Sequence, residues 1–175
     1  RHPDVAVDIQ MGSVQEVYRW VREDKVDMCF ASHQEGGNFD WIHLRNDPLL
    51  AILPPGYDLR GCSSLPVSRL EGLAFLMPSL GFHLDIMRTL GDVKPNIQQT
   101  HVNDSVIISM VEHGLGVSIL SELVLRGRRD NVVAVPLDPP AVRELGIAVR
   151  SKKELRPIAR RFITETKEIL ENIPL

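Results

Sequence analysis

One stretch, residues 100–120 (THVNDSVIISMVEHGLGVSIL), constrains the fold more than any other part of the chain. It opens on Asn103-Asp104-Ser105, residue types that cap helices because their side chains accept hydrogen bonds from unpaired helix N–H groups. Gly114 predicts the end of this helix, since glycine adopts a left-handed conformation without steric cost. The apolar run at 117–120 then predicts a short buried strand. The stretch therefore predicts a helix that ends directly in a strand and whose N-terminus suits an anion or a carbonyl.

Composition places the chain among ordinary globular proteins. Its 175 residues are 43% hydrophobic and 25% charged, enough for one domain or two small lobes with a real core. The net charge of −3 argues against a strong nucleic-acid-binding domain, because such domains are usually basic. No apolar run of roughly 18 residues is present, so we expect no membrane span. Cys29 and Cys62 are expected to be reduced thiols of a cytoplasmic protein.

The first 31 residues predict one β-α-β unit. Residues 5–11 (VAVDIQM) alternate apolar and polar side chains, as a strand does. An amphipathic helix follows, predicted by apolar residues at helical spacing: Val14, Val17, Tyr18 and Val21. Residues 27–31 predict the next strand. Such a unit is typical of parallel sheets.

Prolines divide the rest of the chain at two places. Apolar runs at 41–44 and 49–53 are separated by residues 45–48 and stopped by Pro54-Pro55-Gly56, and Pro139-Pro140 marks a second boundary. Between the boundaries we predict a capping-box helix from Ser68, helices at 83–90 and 121–125, and strands at 73–77, 97–102 and 132–137. A strand at 145–149 precedes a last helix that begins at Pro157. Its predicted inner face is Ala159, Phe162, Ile163, Thr166, Ile169 and Leu170.

At each of these two boundaries the chain would cross from one lobe to the other. Two such crossings predict two lobes joined by two strands. Residues 1–53 and 142–175 form the predicted lobe one, and residues 54–141 form lobe two. A cleft between such lobes is a natural site for a small molecule.

The order of these segments resembles the effector-binding domain of LysR-type transcriptional regulators. The matching segments are His2-Pro3-Asp4-Val5, Gly12-Ser13 with the following helix, and residues 26–30, 48–56, 67–72 and, most specific, 111–120. Tyr57-Asp58-Leu59 stands where the family has His-Pro-Leu, and Ser121 stands where proline is common. The resemblance covers nearly the whole chain and rests on the order of the motifs rather than on any one of them.

The resemblance implies an α/β fold of the two-lobe type II periplasmic-binding-protein kind, with two crossover strands and a central cleft for a small organic effector. It also implies an N-terminal helix-turn-helix that binds DNA and a first lobe-one strand, both expected to precede this sequence. The implied partner is a second copy of the chain, in an antiparallel homodimer or higher oligomer. The alternative is a stand-alone solute-binding protein of a transporter, which a secretory signal upstream would favour.

Four polar loops follow predicted strands, where ligands of open α/β sheets usually bind. They supply the candidate effector-binding residues Gly12, Ser13, Ser32, His33, Ser79, Leu80, Gly81, Phe82, Asn103 and Asp104. Three of the loops precede helices, so their unpaired N–H groups are expected to hold a carboxylate or similar oxyanion. The competing interpretation is a plain N-cap, the commoner role for any single serine. The resemblance favours ligand contact for Ser13 and Asn103 but not for Ser105.

Other polar and aromatic residues have competing interpretations. His33 is a candidate pH-sensing or catalytic group, but an exposed loop histidine is favoured. Glu35 is a candidate reader of a cationic group on the effector. Trp20 and Trp41 are expected in the core or on a lobe surface rather than against a ligand. The basic residues at 126–129 favour a solvated loop over a DNA contact.

Motifs of common enzymes are absent. The sequence has no G-x-S-x-G, no G-x-x-x-x-G-K and no G-x-G-x-x-G, and its six histidines lack metal-ligand spacing. We therefore expect no catalytic residue, no metal and no cofactor.

Overall fold

A computed structural model describes residues 3–78, 83–127 and 131–172. The elements in chain order are α1 (Val14–Arg22), β1 (Cys29–Ser32), β2 (Asp40–Leu53), β3 (Leu65–Pro66), a 3-10 turn (Val67–Leu70), β4 (Ala74–Met77), α2 (His83–Leu90), β5 (Asn96–Gln99), α3 (Asp104–Glu112), β6 (Ser118–Ser121), α4 (Glu122–Leu125), β7 (Val133–Val149) and α5 (Pro157–Glu171).

The long antiparallel strands β2 and β7 are the backbone of the fold. They pair from Asp40 with Val149 through to Leu53 with Val133. Each was predicted as two separate runs, and each is instead one continuous strand. The register shifts between His43 and Arg45 and again between Leu49 and Leu50, and Pro48 pairs with Val142 in the regular stretch between these two points.

The outer halves of β2 and β7 form a first lobe with β1, in the order β1-β7-β2. Helix α1 packs on one face of this sheet, where Tyr18 and Val21 meet Cys29 and Ala148. Helix α5 packs on the other face, where its Ile163 joins a cluster of buried residues: Ile42, Ile147 and Val149. The lobe is thus a three-stranded layer between two helices.

The inner half of β2 belongs to a second lobe. It pairs with β6, from Leu49 with Ser121 to Ile52 with Ser118. Val117 then bridges in parallel to Phe75 of β4, and β4 pairs in parallel with β5. Leu49 and Leu53 are buried in this lobe's core. The lobe boundary between residues 53 and 54 stays a prediction. The hydrophobic core of the second lobe includes β2 residues before this boundary, back to Leu49.

The strand register shows which ends of the two lobes face each other. The crossing is the stretch in which β2 and β7 pass from one lobe to the other. Ser32, the last residue of β1, pairs with Leu145, where β7 leaves the crossing and enters the first lobe. In the second lobe, Ser121 ends β6 beside Leu49, and β4 and β5 run in the same direction as the segment leading into β6. The C-terminal ends of β1, β4 and β5 therefore point towards the crossing.

The predicted strand at 5–11 is wrong. The structure assigns it no strand, and its apolar side chains are exposed, from 37% for Val5 to 87% for Met11. A strand needs a hydrogen-bonded neighbour, and no described strand pairs with this segment. β1 pairs antiparallel with β7, so the expected parallel β-α-β unit is not formed by these residues.

Three smaller predictions also need correction. The capping box at Ser68 is absent, because the turn Val67–Leu70 is a 3-10 turn without a side-chain cap. The strand predicted over 97–102 ends at Gln99. On α5 only Ala159 and Ile163 are buried, whereas Phe162 and Ile169 are 41% and 49% exposed. Within the described ranges, no helix combines the length and apolar character needed to cross a bilayer.

Candidate functional site

The N-terminus of α1 is closed by a capping box between Ser13 and Glu16. The Ser13 hydroxyl accepts from the Glu16 N–H at 3.4 Å, and both the hydroxyl and the N–H of Ser13 donate to Glu16 Oε2, at 2.7 and 2.8 Å. These hydrogen bonds lower the pKa of the Glu16 carboxyl. A carboxylate of the protein therefore already occupies the donors that Ser13 was predicted to offer an effector.

Gly12 lies directly before this cap and against Trp20. A Cβ at Gly12 would come within 2.7 Å of the Trp20 ring, so the indole covers the backbone here. Trp20 is half-buried, in agreement with the expected position on a lobe surface.

Ser32 and His33 lie where the first lobe meets the crossing strands. Ser32 is only 3% exposed, its carbonyl accepts the Tyr18 hydroxyl at 3.0 Å, and its own Oγ has no hydrogen-bond partner in the described part of the chain. Burial raises the pKa of Tyr18 to about 12, so this phenol stays a donor. His33 donates its N–H to the Glu144 carbonyl at 2.9 Å, and Nδ1 lies 3.7 Å from Glu144 Oε2. His33 thus lies in the loop after β1, with its N–H bonded to β7 and its side chain 39% exposed.

The N-terminus of α3 lies at the matching end of the second lobe. Asn103 Oδ1 accepts from the Val106 N–H at 3.1 Å, which is an ordinary N-cap. Thr100 donates its hydroxyl to the Met77 carbonyl at 2.7 Å and so joins the loop before α3 to the end of β4. Asp104 is half-buried in the first turn of the helix. The candidates Ser79, Leu80, Gly81 and Phe82 follow β4 but lie outside the described residues.

A buried ion pair lies between these two sets of residues. Asp47 of β2 accepts two hydrogen bonds from Arg143 of β7, and Arg143 also donates to Ser121 Oγ. No sequence pattern predicts this pair. Residues 45–48 look like a separator between two apolar runs, and nothing in the pattern matches Asp47 to a residue 96 positions later.

Arg45 is a second residue that no sequence pattern singles out. It is half-buried in β2 beside Leu145, close to the end of β1, and its Nε has no hydrogen-bond partner among residues that the structure describes. A half-buried guanidinium with an unsatisfied N–H suits an anionic or carbonyl group. Its position at a register shift of β2 marks Arg45 as a candidate for ligand binding, and this shift cannot be seen in the sequence.

The described candidates thus form two groups: Gly12, Ser13, Ser32 and His33 in the first lobe, and Asn103 and Asp104 in the second. The lobe ends that carry them face the same crossing of β2 and β7. Among described residues, no three His, Cys, Asp or Glu side chains are grouped as metal ligands would be.

Known proteins similar to this chain are transcriptional regulators. The uncharacterized HTH-type transcriptional regulator YvbU of Bacillus subtilis (strain 168) is 28% identical over 175 residues, which is 97% of this chain and 59% of the relative. The Hca operon transcriptional activator HcaR of Escherichia coli (strain K12) is 22% identical over 99% of this chain and 61% of its own length. The chain thus spans about three fifths of these relatives. They do not favour the solute-binding-protein alternative.

Solved structures with the same fold include regulatory domains of other proteins. The Synechocystis PCC6803 CcmR regulatory domain, in complex with 2-PG, superposes with a TM-score of 0.86 at 20% identity, covering 99% of this chain and 88% of that one. The effector-binding domain of QuiR, in complex with shikimate, gives a TM-score of 0.77 at 16% identity, covering 94% and 81%. The predicted two-lobe fold of the type II periplasmic-binding-protein kind is confirmed.

The sequence also matches, over residues 1–171, the family described as the LysR substrate binding domain. That match spans nearly the whole chain and agrees with the fold and with the regulators that it resembles. The chain belongs to the LysR substrate-binding domain family.

Proposed function

We propose that this chain is the effector-sensing domain of a LysR-type transcriptional regulator in the cytoplasm and that it binds a small organic molecule between its two lobes. The observation that carries this proposal is the register of β2 and β7, which turns the polar ends of both lobes towards one crossing. Clefts between lobes joined by paired strands are common sites for small ligands.

An anionic effector is the form of ligand that we propose. The N-termini of α1 and α3 both lie at the lobe ends that face the crossing, and each has positive partial charge. Arg45 adds a cation with an unsatisfied N–H, and Ser32 adds a buried hydroxyl without a described partner. CcmR in complex with 2-PG and QuiR in complex with shikimate support a small organic ligand of this kind.

Glu16 is one of the opposing charges. Its carboxylate accepts from the Ser13 hydroxyl and N–H, so an effector oxyanion has to displace it or bind beside it. Glu144, 3.7 Å from His33, and Asp104, in the first turn of α3, are further carboxylates at the same lobe ends. The proposal of an anion therefore rests on the two helix N-termini and on the unsatisfied N–H of Arg45 rather than on a count of charges. Ser13 acts in this proposal both as a cap and as a ligand contact.

The regulatory step requires that the effector binds one lobe arrangement better than another. In this proposal, β2 and β7 are the elements that change, since they are the only described strands shared by both lobes. A homodimer with a self-complementary interface would carry this change to DNA-binding domains outside the chain.

Calorimetric titration with a panel of small organic acids and amines tests the proposal. We expect saturable binding of at least one carboxylic acid and no binding of its amine counterpart. A preference for cationic ligands would overturn the anionic assignment, and a ligand that is held entirely by one lobe would overturn the interlobe site.

A matched pair of variants locates the site. Arg45→Gln should weaken binding of the acid by about tenfold or more, as expected for the loss of a charge-assisted hydrogen bond. Arg161→Gln removes the same charge from α5, where Arg161 pairs with Glu165 at 3.0 Å, and should leave the affinity unchanged. Equal effects of the two variants would show that only net charge matters.

A further inference from the structure

The pairing of β2 with β7 is irregular at both ends of the crossing, and the two irregular points differ. On the first-lobe side, His43 pairs with Gly146 and Arg45 pairs with Leu145, so Leu44 is an extra residue of β2. Such a bulge interrupts the hydrogen-bond ladder and bends the strand that contains it. The ladder is therefore locally weak where the crossing joins the first lobe.

Other strands hold the irregular point on the second-lobe side. Leu49 pairs with Ala141, and residues 137–140 of β7 then leave the ladder before it resumes at Leu50. β3 pairs with this excursion in parallel, and its contact residue Leu137 is 1% exposed in the core of the second lobe. β6 pairs with β2 without interruption past the same point. The second irregular point is therefore fixed to the second lobe.

The buried ion pair within the crossing is also attached to the second lobe. Asp47 and Arg143 are register partners, and their side chains are 0% and 12% exposed. Asp47 accepts the Leu123 N–H, and Arg143 donates to Ser121 Oγ. These contacts join the two crossing strands to the end of β6 and the start of α4, and burial keeps water from replacing them.

Contacts from the first lobe to the crossing are more exposed. Ser32 pairs with Leu145, and His33 donates its N–H to the Glu144 carbonyl. The facing side chains of His33 and Glu144 are 39% and 54% exposed. Because exposed pairs of this kind contribute little, they should yield before the buried pair does.

Beyond the bulge, inside the first lobe, the two strands are closely packed again. A Cβ at Gly146 would lie 2.4 Å from the Ile42 carbonyl oxygen. The side chains of Ile42 and Ile147 are buried against α5 in one cluster. A bend is therefore confined to the bulge rather than spread over the sheet of the first lobe.

We propose that the crossing moves with the second lobe and that the lobes rearrange by bending β2 and β7 at the Leu44 bulge. The pair of Asp47 and Arg143 keeps the crossing and the second lobe together during this movement. Arg45 directly follows the bulge, so a group bound to its guanidinium acts at the bend itself. That role of Arg45 rests on the proposed effector site, whereas the bend does not.

Spin labels measure the bend in the free protein. Val142→Cys in the crossing, Arg161→Cys on α5 and Gln98→Cys on β5 place labels at exposed positions, taken two at a time. Cys62→Ser removes the exposed native thiol, and Cys29 is buried. Double electron–electron resonance gives a distance distribution for each pair. We expect the distributions from α5 to each of the other two sites to be about twofold or more broader than the one between the crossing and β5.

Asp47→Asn tests the role of the buried pair, because the amide keeps the shape of the side chain and removes its charge. It should broaden the distribution between the crossing and β5 about twofold. Asp24→Asn is the matched control, since it breaks an exposed pair with Arg150 in the first lobe and should leave all three distributions unchanged. Ser121→Ala removes one acceptor of Arg143 and tests the same role if Asp47→Asn fails to fold, as judged by circular dichroism.

Several outcomes would overturn the bend at the bulge. Equally broad distributions from the crossing to both lobes would mean that the strands bend at both ends. A narrow distribution from the crossing to α5 with a broad one to β5 would assign the crossing to the first lobe. Three narrow distributions would show that the lobes do not rearrange.

The role of the buried pair would be overturned if the folded Asp47→Asn and Ser121→Ala variants both kept the distances of the unmodified pair. None of these results bears on whether an acid binds between the lobes, since calorimetry decides that question. Conversely, the expected distributions without any binding of an acid would leave the bend standing and remove the proposed effector site.

Discussion

Arg143 donates two hydrogen bonds to one oxygen of Asp47, with Nε at 2.8 Å and Nη2 at 2.7 Å from Oδ2. The other carboxylate oxygen accepts the N–H of Leu123 at 3.2 Å, and Nη2 also donates to Ser121 Oγ at 3.1 Å. Asp47 is 1% exposed. The pair joins β2, β7 and the start of α4 at the point where the two strands pass between the lobes.

Asp47→Ala should strongly destabilise the protein. It removes the carboxylate that accepts two hydrogen bonds from the mostly buried Arg143 guanidinium and one from the Leu123 N–H. Breaking a buried pair in this way typically costs about 3–5 kcal/mol of unfolding free energy. Urea denaturation followed by circular dichroism measures the loss.

An exposed ion pair serves as the control for Asp47→Ala. Arg161→Ala breaks the pair with Glu165 on α5 and should change the unfolding free energy by no more than about 0.5 kcal/mol. Adding Arg143→Met to Asp47→Leu should recover part of the loss, because the buried guanidinium is then removed together with its carboxylate. A loss below about 1 kcal/mol for Asp47→Ala would show that the pair is solvated in solution.

The capping box at α1 should make stability depend on pH in acid. Hydrogen bonds from Ser13 lower the pKa of Glu16 below its ordinary value of 4.5. A lowered folded-state pKa stabilises the protein above pH 4.5, and this contribution is lost as the pH falls through the folded-state pKa. The stability difference between the unmodified protein and Glu16→Gln should therefore shrink on acidification.

Titration of the Glu16 side-chain carboxyl carbon by NMR checks the direction of the shift directly. Ser13→Ala should return the pKa of Glu16 towards 4.5 and lower the unfolding free energy by about 1 kcal/mol through loss of the cap. Glu23→Gln is the matched control for the titration, since Glu23 lies at the C-terminal end of α1, pairs with Lys25 and makes no hydrogen bond to Ser13. An unchanged Glu16 titration in Ser13→Ala would contradict the assignment.

Sequence patterns predict local elements well where neighbouring residues decide the structure. The Asn103 cap and the end of α3 at Gly114 agree with the sequence pattern, because capping depends on residues close together in the chain. The strand at residues 5–11 was not, because alternation predicts only a strand's faces, whereas its existence depends on a pairing partner. On α5, Phe162 follows the helical period yet lies exposed beside Phe30.

The site was harder to predict than the fold. Ser32 and Asn103 are candidates because polar residues after strands are a local signal, and Ser13 is a candidate because it follows a segment with strand-like alternation that forms no strand. Asp47 and Arg143 could not, because their contact depends on the register of two strands far apart in sequence. Arg45 was hidden for a similar reason, since a register shift in β2 decides where its side chain lies.

Gly146→Ala should destabilise the first lobe. A Cβ there would lie 2.4 Å from the Ile42 carbonyl oxygen and 2.5 Å from the Trp41 ring, and the backbone contact cannot be relieved by a rotamer change. We expect a loss of about 1–3 kcal/mol in unfolding free energy and a shift in Trp41 emission. Gly37→Ala is the control, since its Cβ would meet only the Phe39 side chain, which can turn. Equal effects would show that the close approach of β2 and β7 at Gly146 is absent.

The two thiols should differ sharply in reactivity. Cys29 is buried in the first lobe against α1, and burial raises the pKa of its thiol from 9.0 to about 11, whereas Cys62 is exposed. Since the thiolate is the nucleophile, iodoacetamide at mildly alkaline pH should label Cys62 alone in the folded protein and both thiols in denaturant. Intact-mass spectrometry counts the labels, and Cys62→Ser should remove the native-state label. Rapid native labelling of Cys29 would mean that α1 separates readily from β1, and the packing of Tyr18 and Val21 on that strand would then be weak.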